Sequence, residues 1–242
     1  MKAKIILTFF AITLLSAAGF GQSVVVTRKK VTYTRPKPIV DFKKTFTINY
    51  PKVKARTTAI SRKIEAELSY EKLFGVSVNE EINGAQWLEE ADYSVLYNKN
   101  GLLCLELYVE GVGAYPDGST KHVVVDTVTG KRVLPGEVFI YIGGLIDILS
   151  KMQRKEITDA VSEIKGNKDW EEPNPEPLFE NAVFEKDNLK GFSINANGVT
   201  FYYDYGFPHM IQAMEPNGEY SLTWAQMKPY IRVNSALGRM TR

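Results

Sequence analysis

One cysteine and two histidines stand in a chain of 242 residues. A lone Cys104 excludes a disulfide within the chain, so the fold must be held by its apolar core. Cys104 lies in LLCLELYV, a strand-like run, and reads as a small packing residue rather than a reactive thiol. His122 and His209 are far apart and form no HxxxH or HExxH pattern, so neither a metal site nor a cofactor is expected. A Cys104–His122 pair stays open, without any local signature. G-x-S-x-G, the P-loop and the dinucleotide fingerprint are also missing, and Gly111-Val112-Gly113 is too little to replace them. Carboxylates are plentiful, but sequence does not measure the separation that glycosidase chemistry needs. No catalytic residue is assigned.

Charge of one sign is lacking too. The chain holds 30 Lys+Arg against 28 Asp+Glu, and two of the lysines, Lys2 and Lys4, stand at its very start. Without a concentrated basic surface, nucleic acid is not an expected partner. Arg28-Lys29-Lys30 and Lys43-Lys44 read as a solvated N-terminal arm, with contact to anionic envelope polymers as the alternative. Long apolar runs are absent after the first residues. MKAKIILTFFAITLLSAAGFGQ has a basic start, an apolar run from Ile5 to Leu15, and small residues to Gly21. That is the three-part pattern of a secretory signal peptide. The run is shorter than the roughly 20 residues of a membrane span, which disfavours an uncleaved anchor. No cysteine follows it, which argues against a lipoprotein. The expectation is a signal peptide over 1–21, a secreted or periplasmic location and no transmembrane segment after cleavage.

What is present is alternation. After an arm or linker over 22–45, FTINYPKV reads as a strand. In TTAISRKIEAELSYEKLFG, Ile60, Ile64 and Leu68 share one helical face, with Gly75 as the stop. ADYSVLYNKNGLLCLELYVEG is a hairpin around Asn100-Gly101. Leu103, Leu105, Leu107 and Val109 form its core face, and Cys104, Glu106 and Tyr108 a half-wet one. YPDGSTK reads as a loop before the strand HVVVDTV. A second helix spans Gly144 to Ile164, with a bend or break where its stripe steps by five from Met152 to Ile157. An acidic, proline-rich loop over 166–177 follows. FSINANGVTFYYDYGFP is a further hairpin, EYSLTW a last strand, and Thr223 with Gln226 a capping box. Residues 234–242 read as a frayed tail. Hairpins with two main helices and a short C-terminal helix make the class α+β. The domain runs over 46–233, with two subdomains allowed at about 46–125 and 126–233.

The stretch HVVVDTVTGKRV raises the question of an aspartate nucleophile at a strand end. Acid proteases need two D-[TS]-G loops, and here Thr127-Val128-Thr129 separates Asp126 from Gly130, with no second copy. Asp126 and Gly130 therefore read as a structural turn. Aromatics offer more: 13 Tyr, 12 Phe and 3 Trp. Most fall on strand alternation and read as core. Tyr115, with Asp117, lies at a loop of turn formers. FYYDYGFPHM, with Tyr205 and His209, runs from a strand into a loop. Loops on a rigid sheet carry binding function disproportionately, and Tyr there suits sugar stacking or protein contacts. These four residues are the candidate binding site.

The order of the pieces resembles a family of secreted domains of unknown function. That family includes the lysozyme-binding ectodomain of the RsiV-like anti-sigma factor and the N-terminal region of PdaC-like peptidoglycan deacetylases. The resemblance rests on TINYPKV before a helix and on Val112-Gly113-Ala114-Tyr115, Asp126, Thr129-Gly130-Lys131 and Phe139, then on FSINANGVTFYYDYGFP. Two departures stand out: Tyr115 replaces a histidine, and no Pro-Tyr-x-x-Gly run follows Tyr205. The resemblance implies a non-enzymatic cell-envelope binding module, with peptidoglycan or another envelope glycan, or a lysozyme-like protein, as partner. A glycan-acting hydrolase with carboxylates from separate strands, and a structural envelope protein, are the alternatives.

Overall fold

A computed structural model describes residues 23–40, 42–113, 115–167 and 174–241. The signal peptide expected over 1–21 and much of the acidic loop lie outside them. The fold is α+β, with six strands in one sheet and three in a second.

The large sheet is ordered β1-β2-β3-β4-β5-β6. Its strands are β1 (Val25–Thr34), β2 (Thr45–Lys54), β3 (Leu88–Lys99), β4 (Leu102–Val112), β5 (Pro116–Asp126) and β6 (Lys131–Arg132). All neighbours are antiparallel except β2 and β3, which pair in parallel at Thr47 and Ile48. The expected arm is thus a sheet edge. Its charges stay exposed along β1, which discourages pairing with another chain. Arg28 is used structurally: its guanidinium pairs with Asp92 at 2.9 Å and donates to the Tyr93 carbonyl.

Between β2 and β3 the expected single helix is two short ones, α1 (Thr58–Glu67) and α2 (Tyr70–Phe74), and a third, α3 (Val78–Asn83), follows beyond Gly75. Ser69 interrupts the expected helix by accepting a backbone N–H as the cap of α2, and Ser77 caps α3 in the same way. Gly75 ends α2 in the left-handed conformation. Ile64, Leu68 and Tyr70 pack with Phe46, Ile48, Leu103, Leu105, Leu107, Val123 and Val125 on one face of the sheet.

The other face is drier than its sequence implies. Leu102, Cys104 and Val124 are fully buried, while Glu106 and Tyr108 are half-buried. The second sheet covers them: β7 (Phe192–Ile194), β8 (Gly198–Tyr202) and β9 (Glu219–Thr223), all antiparallel. A valine run buried on both faces, as in Val123-Val124-Val125, follows from that sandwiching.

Beside this core run α4 (Pro135–Val138) and α5 (Ile142–Gly166). Of the bend or break expected in α5, the break does not occur: the helix is continuous. Leu145, Leu149 and Met152 pack on the inter-sheet core, whereas Ile157, Ala160, Val161 and Ile164 pack on a satellite cluster with Phe179 and Phe207. The change of phase is a change of partner, and the polar side chains of Gln153 and Glu156 fill the turn between. No helix among the described residues is long and apolar enough to cross a membrane.

The C-terminal residues are not frayed. After α6 (Trp224–Met227), opened by the Thr223–Gln226 capping box, a 3-10 turn at Leu237–Met240 returns to the hairpin. Leu237 is fully buried, and Arg239 pairs with Asp126 at 3.1 Å and donates to the Gly101 carbonyl.

Candidate functional site

The β4–β5 connection is tighter than expected. YPDGSTK is strand from Pro116 onward, with Asp117 opposite Gly111 and Gly118 opposite Glu110. Only the turn after Val112 is left as loop, and Tyr115 stands on it, 64% exposed. The segment after β8 crosses to meet that turn. Tyr115 and His209 stack with ring centroids 5.0 Å apart and planes at 25°.

Around this pair lies a cleft of about 520 Å3, lined by Trp87, Tyr115, Pro116, Asp117, Phe207, His209 and Gln212 with Gly113. It falls within the roughly 300–1,000 Å3 typical of small-ligand sites. Tyr115, Asp117 and His209, singled out separately in the sequence, thus line one cavity. Trp87 was missed as a site residue, whereas Phe207 falls within the Tyr205 to His209 segment singled out in the sequence. Trp87 reads as the start of a strand, and what brings it here is contact with β4. The Val112 amide donates to the Trp87 carbonyl, and a Cβ on Gly111 would lie 2.2 Å from that oxygen. Only glycine lets the two backbones approach so closely.

A buried ion pair anchors Leu88, the residue after Trp87. Arg35, fully buried, donates Nη2 to Glu81 Oε2 at 3.0 Å and to the Leu88 carbonyl at 2.6 Å, and covers the Phe46 ring. Its Nε and Nη1 reach the Glu81 and Lys43 carbonyls, and Glu81 Oε2 accepts the Leu88 amide. One guanidinium therefore ties the end of β1, the last turn of α3 and the first residue of β3.

No family model and no curated protein matches the chain. Solved structures do. A member of the DUF3298 family from Bacteroides fragilis superposes with a TM-score of 0.54 at 15% identity, covering 91% of this chain and 98% of its own. A DUF3298 family protein from Pseudomonas aeruginosa gives a TM-score of 0.55 at 11% identity, covering 88% and 97%. The fold is a DUF3298-type fold. At these identities the likeness concerns the fold alone, and the family name carries no activity.

Within the DUF3298-type fold, Tyr205 does not join the cleft. Its hydroxyl donates to Glu156 Oε2 at 2.9 Å, and the Tyr220 hydroxyl donates to the same oxygen at 2.7 Å. Burial holds both phenols far above their ordinary range, with the Glu156 carboxylate adding to the shift. Glu156 Oε1 also accepts the Gly218 amide. Gly218 has φ 62°, and a Cβ there would lie 1.9 Å from the Tyr203 carbonyl oxygen. This knot closes the base of the loop whose tip carries Phe207 and His209. A groove of about 500 Å3 runs beside it, lined by Glu156, Glu215 and Glu219 among others.

Three further groups singled out in the sequence have local structural partners. Cys104 is fully buried, its Sγ accepts the Ile194 amide, and burial pushes its thiol up to about 12. His122 engages Glu106 at 3.1 Å and stacks on Tyr202 at 3.7 Å, and burial pulls its imidazole below the usual range against the opposing pull of Glu106. A thiolate–imidazole pair is not formed. Asp126 Oδ1 accepts the Val128 amide, the Gly130 amide donates to the Asp126 carbonyl, and Gly130 has φ 74°. Asp126 ends β5 at the far end from Pro116, about 30 Å from the cleft at strand rise.

Proposed function

We propose that this protein is a non-enzymatic binding module on the outer side of a cell envelope, and that its aromatic cleft takes a glycan. The observation that carries this is the Tyr115–His209 stack, with Trp87 and Phe207 in the same cavity and Asp117 at its edge. Sugar rings present C–H faces to aromatic rings and hydroxyls to carboxylates, and such sites are mostly apolar with few placed polar groups. The signal-like first residues and the resemblance to envelope domains support the location and point to peptidoglycan.

Calorimetric titration with soluble peptidoglycan fragments tests it. Trp87→Ala and Tyr115→Ala each weaken binding by about tenfold or more, the loss of one aromatic contact at an anchor. If both variants bind every fragment like the parent, the cleft is not the site. Lysozyme titrated in parallel separates a protein partner, which the resemblance also allows, from a glycan.

A second reading, a glycan hydrolase, draws on the groove that Glu156 and Glu219 both line. New reducing ends released from peptidoglycan by the parent, and not by Glu156→Gln, would establish it.

A further inference from the structure

A larger cleft, about 760 Å3, shares no residue with the aromatic one. It lies along the segment joining β6 to α5 and against the 3-10 turn Lys186–Lys190. Its apolar lining includes Phe139 and Leu189, both buried, and Leu134 and Tyr141, which are 48% and 74% exposed. Tyr141 holds φ 50°, a left-handed conformation that is unfavourable for an aromatic residue. Exposed apolar side chains beside a preformed hollow, held by a strained backbone, mark a surface shaped for an occupant.

The charge around this cleft is net positive in a chain that is nearly balanced. Arg132, Lys186, Lys190 and Arg232 line it, against Glu137 and Asp187. Asp187 is taken by Lys190 at 3.0 Å. Among the described residues Lys186 and Arg232 have no carboxylate partner, and the Arg232 guanidinium donates to the Glu137 carbonyl alone. Cations that ignore a nearby Glu137 leave their donors free for an anion from outside.

We infer that this cleft binds a single acyl chain headed by a carboxylate. The apolar lining takes the chain, and Arg232 with Lys186 takes the head, a guanidinium being shaped for two-point contact with a carboxylate. The volume suits one small ligand and not a membrane face.

Titrating the full chain with dodecanoate, dodecyl phosphate, dodecyl maltoside and acetate tests this. Dodecanoate is expected to saturate at one per chain, with dodecyl maltoside and acetate each at least about tenfold weaker, since each lacks one half of the recognition. Lys186→Gln with Arg232→Gln is expected to weaken dodecanoate about tenfold and leave dodecyl maltoside unchanged. Leu134→Glu, also at an exposed position, is expected to weaken dodecanoate through the chain rather than the head. Maltoside binding as tight as dodecanoate, or dodecanoate binding indifferent to the double change, overturns the proposal. Dodecyl phosphate bound more tightly than dodecanoate overturns the choice of head.

Discussion

Cys104 and His122 stand on adjacent strands, and burial governs the chemistry of both. A thiol held at about 12 carries almost no thiolate near neutrality. Cys104 is therefore expected to react with a disulfide reagent only at the rate of unfolding, and fast labelling of the native protein would contradict that reading. For His122 the sign follows from its lowered folded value. Above about pH 6.5, the unfolded value, neither state is protonated and nothing is lost. As pH falls through that point the unfolded chain takes up a proton that the folded chain resists, so stability declines until the folded value is passed. Urea melts between about pH 7 and pH 5.5 are expected to show this decline in the parent and a shallower one in His122→Gln. Equal slopes would assign the effect to other groups.

At the scale of elements, the Arg35–Glu81 pair decides where the end of β1, α3 and the start of β3 meet. Removing one partner strands a buried charge. Arg35→Met is expected to cost roughly 3–5 kcal/mol, and Arg35→Met with Glu81→Gln clearly less. A double variant as unstable as the single one would mean that packing, not charge, is at stake. Gly111 sets the second junction. Gly111→Ala forces β4 away from Trp87 and is expected to cost about 1–3 kcal/mol. Neither junction was legible in the sequence. Arg35 reads as one more basic residue of an arm, and Gly111 as a weak glycine signal. Both roles depend on backbones that lie 46 residues away for Arg35–Glu81 and 24 positions earlier for Trp87–Gly111. The local signals were legible: Asn100-Gly101 forms its hairpin with φ of 53° and 71°, and the Thr223–Gln226 box caps α6. Those depend only on neighbours in the chain.

In the whole molecule, the C-terminal residues close the structure. Leu237 is fully buried in the inter-sheet core, and Arg239 reaches the turn at Asp126. Leu237→Ala is expected to cost roughly 2–5 kcal/mol, or several degrees in Tm for a chain of this size. A melting temperature within about one degree of the parent would return these residues to the status of a tail.

Alternation, capping residues and turn residues determined by themselves the α+β class, both hairpins and the presence of a helix before each, because these respond to local periodicity and backbone preference. The sequence also singled out Tyr115, Asp117 and His209, as aromatic and polar residues near turns. Only the tertiary structure decided that they share a cavity with Trp87, that Tyr205 belongs instead to the Glu156 knot, and that α5 runs unbroken between two cores. The reason is physical: each of these outcomes is a contact between segments remote in sequence, set by how two sheets pack. No periodicity within a single segment encodes its partner.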